Sequence, residues 1–211
     1  MDARMIKRYR ELLRRGIDNE NRRRLTNKTF TLLSHNCNGG VITHDLGLQF
    51  RTPTVNLFMN ADDYLKFLYD LEHYLTCTSM EEIVDANASY PVGLLDDIRL
   101  NFVHYPSFEV AKQKWFERCK RVDLSNLCII FAQRDGCTNE HIRRFSRLPF
   151  ERKVVFVAEP MPEIDCAFYD KSFPSNGHEV GILTEYVSRV SGRRYIDAFD
   201  YVSFFNRVQT I

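Results

Sequence analysis

The chain has 211 residues, a length suited to one domain or two small ones, and its 44% hydrophobic and 13% aromatic content can support a sizeable core. A formal net charge of +1 argues against a dedicated nucleic-acid-binding protein, and no apolar run of about 18 residues predicts a transmembrane helix. Six irregularly spaced cysteines without a CxxC pair indicate neither a disulfide framework nor a structural zinc site. We expect a cytoplasmic protein with reduced thiols.

Residues 1–25 predict a basic amphipathic helix, and we divide the chain into this N-terminal segment (residues 1–28) and a single α/β domain (residues 29–211). The apolar residues at helical spacing are Met5, Tyr9, Leu12 and Leu13. One interpretation is peripheral contact with an anionic membrane, to which each nearby cation contributes about 1 kcal/mol. The other is a solvated helix packed on the domain, which the narrow apolar stripe favours.

A strand, a tight polar turn and a helix are predicted next. Apolar and hydroxyl residues at 29–33 indicate the strand, and helical spacing resumes after residue 40. Between them lies the turn SHNCNGG (residues 34–40), which carries a hydroxyl, an imidazole, a thiol and two carboxamides. In α/β proteins such a junction brings backbone amides and reactive side chains to the carboxyl edge of the sheet.

The middle of the chain alternates between strand and helix signals. Residues 55–59 predict a short strand, and residues 62–75 predict a helix with Asn60 as its N-cap. Alternating apolar and polar residues predict a strand over 98–104, and Ser107 caps the helix that follows.

The C-terminal third contains two runs that are apolar throughout, residues 127–132 and 153–158, and both predict buried parallel strands. A second polar turn, residues 133–138, separates the first run from a helix over 139–147. We predict a long loop at 159–181, a helix at 181–190, and a closing strand or helix at 194–208.

Strands that alternate with helices, some of them apolar on both faces, predict an α/β fold: a three-layer α/β/α domain with a mostly parallel sheet. Right-handed crossovers would place the turns at 34–40 and 133–138 on the same edge of that sheet. His104, which ends its own predicted strand, would join them there.

Four segments carry a resemblance to a known family: LLSHNCNGGVITHDLGLQFRTPTVNLFM, YPVG, FVHYPSFEVAKQKWFERCKR and FAQRDGCTNEHIRRFSRLPFERKVVF. They span roughly residues 30–157. The sequence resembles the DUF1919 family, found among bacterial exopolysaccharide and capsular-polysaccharide biosynthesis proteins. The resemblance implies an α/β fold, a sugar or sugar-nucleotide substrate, and acetyl transfer with coenzyme A or acetyl-coenzyme A as the donor.

Ten polar or glycine positions match the family pattern: Asn36, Cys37, Gly39, Gly40, Asp45, His104, Arg134, Asp135, Cys137 and His141. The chain departs from the pattern at His35, where an asparagine or serine is common, and at Asn38, where an aromatic residue is expected. Any role of His35 would therefore be particular to this member.

Cys37 lies at a predicted helix N-terminus, where the helix dipole lowers the pKa of a thiol and favours the nucleophilic thiolate. An imidazole, from His35, His44 or His104, could act as its general base or ion-pair partner, and the amides of Gly39 and Gly40 could stabilise an oxyanion. Two alternatives stay open: the turn only binds a ligand, or Cys37 is a small buried residue flanked by asparagines that bond the turn backbone.

The other polar positions also allow two interpretations. Asp45 could orient an imidazole or balance charge in its helix. Arg134 and Asp135 follow a buried strand and suit phosphate or carboxylate recognition, or else satisfy each other as an ion pair. His141 lies four residues after Cys137, but two ligands do not make a metal site.

We assign catalysis to Cys37, His104 and His35 and substrate binding to Asn36, Gly39, Gly40, Asp45, Arg134, Asp135 and His141, and we expect no metal. The function predicted is transfer of an acyl group to a sugar of a polysaccharide precursor. The alternative is a non-catalytic accessory or ligand-binding protein of a membrane-associated polysaccharide assembly, peripheral to the inner face of the membrane. No P-loop, GxGxxG or GxSxG motif is present.

Overall fold

A computed structural model describes residues 2–207 and has a mixed α/β architecture with two sheets. The larger sheet is parallel and has the strand order β1-β5-β6-β7, and the smaller is antiparallel with the order β2-β3-β4. The strands are β1 (Thr31–Ser34), β2 (Glu81–Ile83), β3 (Val92–Leu95), β4 (Ile98–Asn101), β5 (Leu127–Ala132), β6 (Lys153–Phe156) and β7 (Ala167–Phe168). The predicted α/β class and its parallel sheet are confirmed.

Both faces of the parallel sheet are buried. Along β5, Ile129 and Phe131 lie in one apolar cluster, whereas Cys128 and Ile130 lie in a second. Because successive side chains of a strand point to opposite faces, the two clusters lie on opposite sides of the sheet. This explains why the strand is apolar throughout, with every residue buried.

The antiparallel sheet differs from the prediction, because the strand that leads towards His104 is part of it. β4 ends at Asn101, three residues earlier than predicted, and pairs with β3. The two strands meet in a tight hairpin at Asp96, which has a φ of +53°. Left-handed backbone of this kind matches the strand twist in two-residue hairpins. Residues 55–59 form an isolated bridge, Phe58 to Asn101, rather than a strand.

Seven α-helices lie within residues 2–207: α1 (Ala3–Arg24), α2 (Cys37–Asp45), α3 (Ala61–Tyr69), α4 (Leu71–Thr76), α5 (Phe108–Cys119), α6 (Asn139–Ser146) and α7 (Tyr201–Asn206). The single helix predicted over 62–75 is broken at Asp70, whose φ of −131° and ψ of 56° are not helical. The prediction of a helix over 181–190 is wrong, because that segment forms turns. The closing segment forms a 3₁₀ turn (Tyr195–Ala198) and α7, and its predicted end at residue 208 lies outside the described residues.

Helix α1 packs on the domain through charged side chains. Arg14 and Asp18 are its buried residues, whereas Met5, Tyr9 and Leu12 are 54%, 48% and 65% exposed. The predicted apolar stripe therefore faces away from the core. Across residues 2–207, no helix combines the length and the apolar character needed to cross a membrane.

Candidate functional site

A cavity of about 260 Å³ lies where the loops after β1, β4 and β5 meet. We call it the thiol cavity. Its lining residues are Asn36, Cys37, Asn38, Phe58, Val103, His104, Arg134, Asp135, Ile182 and Thr184. Since β1 and β5 are parallel neighbours, their carboxyl ends deliver the two polar turns to one edge, as predicted. Five predicted site residues are thus brought together: Asn36, Cys37, His104, Arg134 and Asp135.

His104 reaches the thiol cavity by a different route from the one predicted. It lies in the turn after β4, on the antiparallel sheet, and its side chain is exposed. Its backbone N–H donates to the carbonyl oxygen of Asn56 over 3.3 Å. The Phe58–Asn101 bridge fixes the same turn against the segment before α3.

His35 lies beneath the thiol cavity rather than in its lining. Its ring is completely buried and packs edge-on against Phe131, with ring centroids 4.9 Å apart. Its Nε2 lies 3.3 Å from Oδ2 of Asp135. Burial lowers the pKa of His35 and outweighs the opposing effect of Asp135. The imidazole is therefore neutral at pH 7, and it contacts the carboxylate of Asp135 from beneath the thiol cavity.

Asp135 is held as a carboxylate. Burial alone would raise its pKa, but the hydrogen bond from His35 and the charge of Arg134 outweigh burial and hold the pKa below the ordinary value. Arg134 Nε lies 3.4 Å from Oδ2. The backbone of Asp135 has a φ of +57°, in the left-handed region that aspartate adopts more readily than most residues with a side chain.

Cys37 is the first residue of α2, and Asn36 is the N-cap. The side-chain oxygen of Asn36 accepts a hydrogen bond from the Asn38 N–H over 3.1 Å. Burial and the carboxylate of Asp135 raise the pKa of Cys37, and Arg134 opposes them only in part. The helix dipole was expected to favour the thiolate, but the thiol is protonated at neutral pH.

Gly39 and Gly40 do not line the thiol cavity. A Cβ on Gly39 would lie 2.7 Å from Cβ of Ser34, whereas one on Gly40 would lie 3.6 Å from Cγ1 of Val55. The missing side chain at Gly39 lets α2 pack directly on β1. Both glycines are buried where α2 packs on its neighbours. The structure therefore does not place them in contact with a ligand of the thiol cavity.

Asp45 and His141 also lie outside the thiol cavity. Oδ2 of Asp45 is 3.0 Å from Nη2 of Arg14 and 3.2 Å from Nε of Arg194, so the carboxylate belongs to a buried ion-pair cluster. His141 caps α6: its Nδ1 accepts from the Thr138 N–H over 3.1 Å, and its Nε2 lies 3.0 Å from Oδ1 of Asp62. Each of these two side chains is already used by a structural contact.

Sequence comparison places this architecture in a family. The model of a domain of unknown function, DUF1919, matches residues 8–206. The chain belongs to the DUF1919 family. An uncharacterized protein of Haemophilus influenzae (strain ATCC 51907 / DSM 11121 / KW20 / Rd) is 41% identical over 184 residues, which are 87% of each chain. The family predicted from the motifs is therefore confirmed.

The thiol cavity of this DUF1919 protein contains residues that the sequence analysis did not assign. Asn38 is 5% exposed, and its Nδ2 has no hydrogen-bond partner within residues 2–207. Its position beside Cys37 was a usable signal. Ile182 and Thr184 gave none, because their segment was predicted as a helix and was not connected with the polar turns.

The chemistry available in this DUF1919 protein is that of a protonated thiol, an imidazole, a guanidinium and a carboxylate around a small cavity. These groups suit proton transfer and the recognition of a carbonyl or an anion. Within residues 2–207, no group of three or more His, Cys, Asp or Glu side chains could hold a metal ion.

Proposed function

We propose that this DUF1919 protein is an enzyme of exopolysaccharide or capsule biosynthesis that transfers an acyl group, acetyl in the simplest case, to a hydroxyl of a sugar precursor. The observation that carries the proposal is the convergence of Cys37, His104, Arg134 and Asp135 on one cavity. The polysaccharide context comes from the resemblance of the sequence. A three-layer α/β/α arrangement and a cytoplasmic location, at the inner face of the membrane, are parts of the same proposal.

The volume of the thiol cavity limits how a donor would fit. About 260 Å³ lies below the roughly 300–1,000 Å³ of pockets that enclose drug-sized ligands. Only the acyl-bearing end of coenzyme A fits such a space, so the nucleotide end would lie outside it. Acyl-coenzyme A supplies an activated acyl group when bound, and the residues of the cavity act on the acceptor.

His104 is the proposed general base, because it is the imidazole that lines the cavity. It would take the proton of the acceptor hydroxyl as that oxygen bonds to the acyl carbon, and the donor sulfur would leave with a proton. Arg134 would balance the negative charge that develops on the acyl oxygen. A route through an acyl-Cys37 intermediate needs an additional deprotonation, since this thiol is protonated at neutral pH.

The test is binding followed by transfer. Purified protein should be stabilised against heat by acetyl-coenzyme A or coenzyme A, and radiolabelled acetyl should appear on a sugar nucleotide. His104→Asn should abolish transfer, whereas His178→Asn, at an exposed site outside the lining, should leave it unchanged. Full transfer by Cys37→Ala would exclude the acyl-Cys37 route alone. No thermal shift with any of these ligands would contradict the enzyme proposal.

One observation favours the second candidate, a non-catalytic accessory protein docked on an anionic membrane. Met5, Tyr9 and Leu12 are exposed on α1, among basic residues. Such a face suits the interface of a lipid bilayer. Deleting α1 would also remove Arg14 from its buried ion pairs, so the sharper variant is Met5→Ser with Leu12→Ser. Loss of sedimentation with anionic vesicles in this variant would support docking, and vesicle-independent behaviour of the wild type would oppose it.

A further inference from the structure

A second concave surface adjoins the thiol cavity and is dominated by arginine. It is a groove of about 530 Å³, lined by Arg10, Thr184, Glu185, Tyr186, Ser188, Arg189 and Arg194. We call it the arginine groove. Thr184 lines both the arginine groove and the thiol cavity, so the two surfaces are neighbours that share this residue.

The backbone around the arginine groove is held by hydrogen bonds and close packing. The segment behind it folds back on itself, because the Val187 N–H donates to the carbonyl oxygen of Arg193 over 2.9 Å and Tyr186 bridges to Arg194. The same segment presses on helix α1, since a Cβ on Gly192 would lie 2.6 Å from Cβ of Leu13. The groove is therefore held on two sides by packed backbone.

The ring of Tyr186 fixes two of the three guanidinium groups. Cζ of Arg10 is 4.1 Å from the ring centroid and Cζ of Arg194 is 4.7 Å from it, both within cation–π distance. Arg194 Nη1 also donates to the carbonyl oxygen of Thr184 over 2.5 Å. These contacts orient the two side chains before any ligand arrives, which reduces the entropy cost of binding.

The positive charge of the arginine groove is not neutralised. Arg194 is paired with Asp45, but Arg10 and Arg189 make no ion pair within residues 2–207. Nε of Arg10 is buried without a hydrogen-bond partner in that part of the chain. Glu185 is the one acidic residue of the lining, so Arg10 and Arg189 leave an excess of positive charge even with Arg194 paired to Asp45.

We infer that the arginine groove binds the diphosphate of an activated donor whose reactive end enters the thiol cavity. Guanidinium groups match phosphate oxygens through paired hydrogen bonds, and several of them together favour a polyanion over a single carboxylate. The thiol cavity is too small for a whole donor, so the anionic part of the donor must lie beside the cavity. The arginine groove adjoins the cavity at Thr184. This inference names the donor class for the proposed function and rests on it.

Inorganic pyrophosphate is the direct probe, titrated calorimetrically into the full-length protein at low salt. Arg189→Ala should weaken binding at least tenfold, because the exposed Arg189 contributes charge with little packing. Arg10→Lys keeps a positive charge but loses the paired N–H donors of the guanidinium group, so it should weaken pyrophosphate binding less than Arg189→Ala does. Arg15→Ala, on helix α1 with Arg10, and Arg147→Ala, at the C-cap of α6, are exposed and outside the groove and should bind like the wild type.

The source of the diphosphate is distinguished by competition. Displacement of pyrophosphate by coenzyme A points to an acyl donor, and displacement by a nucleoside diphosphate sugar points to a sugar donor. The inference is overturned if pyrophosphate fails to bind, if Arg189→Ala binds no more weakly than Arg15→Ala, or if only anionic vesicles compete. If pyrophosphate binds but no acetyl transfer is found, the proposed function is contradicted, whereas the assignment of diphosphate binding to the arginine groove stands.

Discussion

The carboxylate of Asp135 lies 3.3 Å from Nε2 of His35, a completely buried imidazole one hundred positions earlier in the chain. This contact joins the end of β1 to the turn after β5. Nε2 of His35 also lies 3.1 Å from Nδ2 of Asn36, and Nδ1 is buried with no hydrogen-bond partner within residues 2–207. The pair thus keeps a neutral ring beneath a fixed negative charge at the wall of the thiol cavity.

The buried His35 should make stability depend on pH. The pKa of His35 in the folded protein is lower than the ordinary value of 6.5. At pH values under about 6.5, His35 is therefore protonated in the unfolded chain but not yet in the folded chain. The free energy of unfolding should therefore fall as pH falls, by up to about 1.4 kcal/mol per pH unit from this group. Urea titrations at pH 7.5, 6.5 and 5.5 measure that slope.

His35→Gln is the matched variant, because its amide can still donate to Asp135 but cannot titrate. It should lose less stability than the wild type between pH 7.5 and 5.5. His178→Gln, at an exposed position, should keep the wild-type slope. An unchanged slope in His35→Gln would show that the ring is not held neutral by burial.

The reactivity of Cys37 should move in opposite directions when its two charged neighbours are removed. Asp135 raises the pKa of the thiol and Arg134 lowers it. At pH 8, Asp135→Asn should therefore speed alkylation of Cys37 by iodoacetamide and Arg134→Gln should slow it, by about tenfold for each unit of pKa. Peptide mass spectrometry measures the rate, with Cys166 in the same protein as the unchanged reference. Changes of the same sign would contradict the assigned environment.

The sequence predicts the parallel sheet because its signals are local. The strand at β5 is apolar at every position, and the turns that end β1 and β5 are rich in polar residues. Parallel pairing then places both turns at one edge whatever the details of the connections. The convergence of Cys37 and Arg134 follows from that rule alone.

Other parts of the site depend on contacts that no local pattern encodes. His104 has the same alternating signal whether its strand joins the parallel or the antiparallel sheet, and only the tertiary pairing decides. Asp45 looks like a site residue until Arg14 and Arg194, distant in sequence, are found to pair with it. The segment at 181–190 has enough apolar residues for a helix, yet its backbone pairs with residues 193–196 instead.

Two adjacent glycines should respond oppositely to the same substitution. Alanine is favoured over glycine by about 0.8–1 kcal/mol in a helix interior. At Gly40 the new Cβ meets Val55 at ordinary contact distance, so Gly40→Ala should be neutral or stabilising. At Gly39 the Cβ would lie 2.7 Å from Ser34, and overpacking of this kind costs about 1–3 kcal/mol. Urea midpoints compare the two, and equal stability would contradict the close packing of α2 on β1.

The buried ion pairs of Arg14 should be essential for the attachment of α1. Arg14 lies 2.8 Å from Asp18, 3.0 Å from Asp45 and 2.5 Å from Asp197, and its side chain is 6% exposed. Arg14→Met leaves three buried carboxylates without their common partner, a change that costs about 3–5 kcal/mol. Chemical denaturation should show this loss directly.

The neighbouring residue on α1 provides the control. Arg15 is exposed, so Arg15→Met should change the free energy of unfolding by less than about 0.5 kcal/mol. If Arg14→Met does not fold, Asp18→Asn serves instead, because it keeps the shape and removes one of the three carboxylates. Its cost should be smaller than that of Arg14→Met, since burial raises the pKa of Asp18 and opposes the stabilising effect of Arg14 on its charge. Stabilities of Arg14→Met and Arg15→Met that agree within error would mean that α1 is held by something other than these ion pairs.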